Sequence, residues 1–234
     1  MVQKVNELER PVPVRIKFEK VGRLQYISHL DLNRTFSHAL VRAKIPVWYT
    51  MGFNPHTKMN FATPLSVGSE SLCEYLDIKI VKDVSAEFIM TALKENLADG
   101  LNVVDVYFPE TKFDALAWSE YEIKLLFADA SVEYAKKISD IFARDEVIVT
   151  KRSKSGDKDV NIKSYLNRLD VAFENGEIVM RTVLSCGKDN FLNPEYLIKV
   201  IKDELGILGG DPTKEGYSVI RKEVYFDDAV TAFR

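Results

Sequence analysis

The residues able to do chemistry gather in one stretch of this 234-residue chain, 26–64, which holds all three histidines, His29, His38 and His56. His29 follows Ser28, and Ser28 with Asp31 forms a short capping signature for a helix start. A histidine in the first turn of a helix sits among backbone N–H groups that favour anions. It is placed there to hold a phosphate or to act as general acid or base. His56 lies in Gly52-Phe53-Asn54-Pro55-His56-Thr57-Lys58, a loop broken by Gly52 and Pro55 with the Lys58 ammonium beside the imidazole. His29 and His56 are therefore the candidate catalytic residues, while His38 falls on the outer side of the helix. Each also has a structural alternative: His29 bonded to a neighbouring loop, and 54–56 forming a turn. A metal set of His29, Asp31, His38 and His56 has poor spacing, because His29 and Asp31 are too close to share a helix face. The sequence predicts no metal and no cofactor. It also carries no serine or cysteine triad, Walker loop or GxGxxG motif.

The second kind of chemistry is recognition of phosphates and bases. Single-stranded RNA binding uses cations for phosphates and ring faces for bases. Arg15 and Lys17 on a first strand, with Tyr75 and Lys79 on a third, would share one open sheet face. Arg23, Arg34 and Lys58 extend the cations, and Tyr49 and Phe53 add rings. Lys151, Arg152, Lys154, Lys158 and Lys163 make a second basic group in a charged hairpin tip, which Arg221 and Lys222 could extend. The alternative is a solvated set of charges, with the sheet face covered by another domain or a partner.

Charge distribution sharpens this. Residues 1–60 hold ten Lys and Arg against four acids, giving +6, so the remainder carries −9 within a net −3. Cys73 and Cys186 make neither a CxxC pair nor the cysteine cluster of an iron–sulfur site. Free cysteines fit a cytoplasmic setting. Residues 1–10 have no apolar core of a signal peptide, and no apolar run reaches the ~18 residues of a membrane span.

The elements that must position these groups follow from periodicity. Residues 12–20 alternate, with Val14, Ile16 and Phe18 on one side. A helix from Ser28 to Lys44 buries Leu32, Phe36, Ala39, Leu40 and Ala43, and Pro46 stops it. Residues 47–50 and 72–81 read as strands, the latter with Leu72, Leu76, Ile78 and Ile80 inward. Ser85 caps a second helix that Gly100 ends, and 102–108 is a strand. After a linker at 111–117 the pattern returns: strand 118–127, helix 131–143, strand 146–152, a hairpin turning at Asn175-Gly176, a helix capped by Asn193, and strand 217–226. The predicted fold is α+β, two tandem ferredoxin-like (β-α-β-β-α-β) domains at 1–110 and 118–234. The second carries an insertion at 159–167.

Histidine-Leu-Asp-Leu at 29–32 and Gly-Phe-Asn-Pro-His-Thr-Lys at 52–58, behind the strand 14–24, resemble the radical-SAM-associated (radical-SAM-linked) bacterial family of unknown function. The resemblance runs from about residue 12 to the last strand. It implies a radical-SAM protein as partner. The chain itself lacks the cysteines of that catalyst. The expected function is an accessory RNA-binding protein acting with the radical-SAM partner in tRNA or rRNA modification or processing, on structured or single-stranded RNA, and away from membranes. Two alternatives stay open, a metal-independent ribonuclease using His29 or His56 and a protein-only adaptor for the partner.

Overall fold

The computed structural model describes residues 7–153 and 156–234. It shows an α+β chain of antiparallel strands and, among the described residues, four α-helices, divided into two units, Met1–Phe113 with Arg234 and Asp114–Phe233. No helix among the described residues is long and apolar enough to cross a membrane.

The first unit runs β1 (Glu7–Lys20), α1 (His29–Arg42), β2 (Asn60–Phe61), β3 (Ser69–Lys82), α2 (Ala86–Lys94) and β4 (Leu101–Tyr107). Its strands lie in the order β4-β1-β3-β2. The period-two pattern of β1 puts Val14, Ile16 and Phe18 into the core, opposite Ile78, Leu76 and Glu74 of β3. Leu32, Phe36, Ala39 and Leu40 of α1 close over them, with the Phe18 and Phe36 rings 4.7 Å apart. Each such fully buried ring contributes about 1.5–3 kcal/mol. The Ser28 hydroxyl starts α1 by accepting the Asp31 N–H at 3.1 Å. The helix ends two residues sooner than its spacing suggests. Lys44 turns left-handed (φ 53°), its N–H reaches the Val41 carbonyl, and the Ile45 N–H reaches that of Leu40. That pair of bonds is a Schellman stop, and Pro46 follows it.

Three expectations for this unit need correcting. Gly100 does not end α2, which stops at Lys94. Gly100 instead admits a close approach: a Cβ there would lie 2.6 Å from the Val21 carbonyl, and φ is +92°. Tyr75 does not face open solvent but is 2% exposed, and Leu72 is only half-buried, so the middle of β3 is covered on both sides. The strand expected at 47–50 does not form: Val47 makes an isolated bridge to Ile80 and Tyr49 one to Thr57, and the chain rejoins β3 only where Phe61 faces Leu76. From Val47 to Phe61 the chain advances fourteen residues opposite four of β3, so ten are looped out.

The second unit runs β5 (Trp118–Leu126), α3 (Val132–Ala143), β6 (Ile148–Ser153), β7 (Gly156–Asn161), β8 (Leu166–Glu174), β9 (Glu177–Ser185), α4 (Glu195–Leu205) and β10 (Gly216–Tyr225). Its main sheet is ordered β10-β5-β9-β8. Ile123, Leu125, Met180 and Val219 from the sheet meet Ile138, Phe142, Leu197 and Ile201 from the helices. Asn175 (φ 51°) and Gly176 (φ 88°) make the tight turn joining β8 to β9. The Asn193 side chain accepts the Glu195 N–H at the start of α4. The segment 159–167, expected as an insertion, begins in β7 of a separate hairpin, β6–β7, whose two strands pair only with each other among the described residues.

Candidate nucleic-acid interface

Apart from the core ring of Phe36, residues 22–58 place most of their polar and aromatic groups outside the first unit's core. A short 3-10 turn, Gly22–Tyr26, presents Arg23 and an exposed Tyr26. Its entry is fixed by the Gly22 N–H, which donates to Glu70 at 2.6 Å. Because α1 spends one stripe on the core, its other side shows Arg34, His38 and Arg42 to solvent. Arg34 lies 3.4 Å from Asp31 in an exposed pair worth little, and Arg42 donates to the Asn96 carbonyl at 2.6 Å. Across 22–58 there are five cations, Arg23, Arg34, Arg42, Lys44 and Lys58, all exposed, against the single acid Asp31.

The looped-out segment carries the rest. A bridge between Tyr49 and Thr57 closes its neck, with the Thr50 N–H donating to the His56 carbonyl at 2.9 Å. The His56 N–H returns to Thr50 Oγ1 at 3.1 Å, and its Nδ1 lies 3.2 Å from both Thr50 Oγ1 and the Asn54 carbonyl. His56, itself exposed, therefore clasps the loop. Beyond the clasp, Met51 is 90% exposed and Phe53 fully exposed. Tyr49 is exposed on the way in and Lys58 on the way out.

His29 is exposed, its ring edge-on to Phe61 with centroids 5.1 Å apart. It lines a narrow cleft of about 20 Å³ with the buried side chains of Lys20 and Glu74. That volume admits one water, not a sugar and phosphate. The Lys20 ammonium donates to the Gln25 carbonyl at 3.2 Å. The residues lining this cleft do not include His56, Lys58 or Arg23. Among the described residues no three His, Cys, Asp or Glu side chains gather as a metal set.

The remaining sequence candidates divide by burial. Arg15 is fully buried. Its Nε and Nη2 donate to the Asp77 carboxylate at 2.7 and 2.8 Å, Nη1 donates to Thr111 Oγ1, and the guanidinium lies 4.3 Å over the Phe113 ring. The supposed linker thus covers Arg15 and withholds it from solvent. Lys17 is half-buried, with its ammonium 5.4 Å from the Tyr75 ring centroid. Lys151 is not an open phosphate contact. It donates to the Phe191 carbonyl at 3.1 Å, lies 4.4 Å from the Tyr165 ring and 5.6 Å from that of Tyr196, and burial lowers its pKa. Lys158 is exposed on β7, and the Arg152 backbone pairs with Asp157. The Arg152 side chain and Lys154 lie outside the described residues. Sequence reasoning passed over Tyr26 and Met51, although each stands next to a solvent-turned segment outside the helical apolar stripe.

The sequence matches a bacterial family described as "Uncharacterized protein conserved in bacteria (DUF2344)" over residues 14–194. No curated protein matches it. Among solved structures, a Cbf5-Nop10-Gar1 complex is similar at 11% identity and a TM-score of 0.48, covering 95% of this chain and 56% of that one. This chain therefore spans little more than half the length of that neighbour. An unknown protein from Galdieria sulphuraria aligns at 14% identity and a TM-score of 0.25, covering 91% and 99%. Both scores are too low to carry an argument.

Proposed function

The chain belongs to the DUF2344 bacterial family, and from the surface of residues 22–58 we propose that it is an RNA-binding accessory protein. The observation that carries this reading is the coincidence of five exposed cations and one acid with the exposed rings of Tyr26, Tyr49 and Phe53. Cations along a backbone path with rings for bases are the means by which single-stranded RNA is held. The radical-SAM partner is the second half of the proposal. It rests on the resemblance carried by residues 29–32 and 52–58, and RNA presented to that partner is modified there. The cytoplasm is the proposed compartment, since Cys73 and Cys186 are both free and buried. The strand orders β4-β1-β3-β2 and β10-β5-β9-β8, each with two helices, support reading both units as ferredoxin-like, in tandem.

The test is RNA affinity against salt. Each phosphate contact on a single strand adds about 0.7 to the log–log slope. Replacing Arg23, Arg34 and Lys58 together by Ala should lower that slope by about 2 and weaken binding at low salt. A wild-type affinity that is absent at low salt, or indifferent to salt, overturns the reading in favour of a protein-only adaptor. Cleavage of the bound RNA that is lost in His29→Ala would instead revive the ribonuclease.

A further inference from the structure

The second unit holds a concave site that neither the sequence reading nor the family description assigns. A cleft of about 440 Å³ opens where β5, β9 and the turn before β8 meet, lined by Trp118, Ser164, Tyr165, Ser185, Gly187 and Asn190. That volume lies in the range of small-molecule sites, whereas the cleft beside His29 holds one water. Its walls are fixed. The Trp118 indole N–H donates to the Asp227 carbonyl at 3.2 Å, and the Ser185 hydroxyl donates to the Asn190 carbonyl. Lys151 reaches both the Tyr165 ring and the Phe191 carbonyl, and so ties one aromatic wall to the segment that follows β9. Cys186, next to Ser185, is buried, and burial raises its thiol pKa, so it offers no thiolate nucleophile.

The lining fits a particular chemistry. Two large aromatic residues offer ring faces, and hydroxyls, an amide and backbone groups offer donors and acceptors. The one acid among the lining residues, Asp227, gives its backbone carbonyl to the Trp118 indole, and its side chain adds a carboxylate acceptor to the lining. A site with ring faces, hydroxyls, an amide and an acceptor carboxylate suits a flat, polar heterocycle that bears N–H donors and no negative charge. We infer that this cleft takes a single nucleobase, stacked on Trp118 or Tyr165, with Lys151 as the residue that positions Tyr165. The base could come from an unpaired position in RNA or from a free nucleoside. Choosing RNA as the source rests on the function proposed above. The cleft then reads one base while residues 22–58 hold backbone.

Tryptophan fluorescence provides the test, because Trp48 and Trp118 are the only tryptophans. In the full-length Trp48→Phe protein, a base stacking in the cleft quenches Trp118. Adenosine, guanosine, cytidine and uridine are titrated separately, with ribose and phenol as controls. Saturable quenching by at least one nucleoside, absent with ribose and weaker with phenol, is the expected result. Tyr165→Leu keeps bulk and loses the ring face, and should raise the dissociation constant by at least about tenfold. Lys151→Met should weaken binding, and Lys151→Arg, which keeps a cation over Tyr165, should restore it. Circular dichroism confirms that each variant folds. No saturable quenching up to about millimolar nucleoside, equal quenching by phenol, or indifference to Tyr165→Leu overturns the assignment. The two proposals fail separately. Nucleoside quenching without salt-dependent RNA binding supports the cleft and sinks the RNA reading, whereas RNA binding without quenching does the reverse.

Discussion

Arg15 and Arg34 carry the same charge and have opposite fates. Arg15 is buried against Asp77, Thr111 and Phe113, so replacing it strands a carboxylate. Arg15→Met should cost about 3 kcal/mol of stability in urea denaturation. Arg34→Ala and Lys58→Ala should each cost under about 0.5 kcal/mol, because both side chains are exposed. Period-two alternation correctly sets Arg15 off the core face. It cannot show that Thr111 and Phe113 cover that side, because the cover comes from 96 residues further along the chain. A pH test belongs at this scale too. Tyr217 donates to Glu195 and Tyr225 to Glu120, and burial, then the carboxylate, pushes each phenol up to about 12. An unfolded tyrosine ionises near pH ~10. The stability these two contribute is therefore complete below pH ~10 and lost as pH rises towards ~12. The urea midpoint followed by Trp118 fluorescence in the Trp48→Phe protein should fall across that window, and Tyr217→Phe with Tyr225→Phe should flatten the fall.

Elements were legible where local signals decide them. The Ser28, Ser85 and Ser131 caps and the Asn175-Gly176 turn stand where the sequence puts them, because each is settled within four residues. The Leu32, Phe36, Leu76, Ile78 and Ile80 group also packs together as its spacing requires. Pairing between distant segments was harder to read. The strand expected at 146–152 is apolar enough for a sheet, but β6 pairs with β7 and stays outside the main one. Gly100 shows the same limit: its need is a Val21 carbonyl brought close by folding, not a helix end. Gly100→Ala should cost more than about 1 kcal/mol, from both the positive φ and the carbonyl contact, as a lower urea midpoint. The looped-out stretch between Val47 and Phe61 makes a sharper test. Deleting ten of its residues leaves four opposite four along β3. The melting temperature should hold or rise, since loop entropy changes little with length. RNA affinity should drop with the loss of Tyr49, Phe53 and their neighbours.

Across the whole chain, charge says more than its net value. The +6 of residues 1–60 against −9 elsewhere makes a protein of modest net charge with one basic stretch. Protein purified at low salt should carry nucleic acid that a high-salt wash removes, read as a falling ultraviolet absorbance ratio. The histidines were visible from the start, but their distribution was not. His56 is exposed and bonds to Thr50 and Asn54 of its own loop, while His29 stands at a water-sized cleft. The aromatic cleft of the second unit was illegible because Trp118, Tyr165 and Asn190 are far apart in sequence and meet only after folding. The interrupted strand beside β3 also bears on solubility. Unpaired backbone at the rim of a sheet invites a second molecule to add its own strand, and short, broken rims prevent this. By leaving the ladder after Val47 and returning only for Asn60–Phe61, the chain presents no long run of free backbone there. The ten-residue deletion would restore one, and that variant should dimerise or aggregate as its concentration rises even while each molecule stays folded.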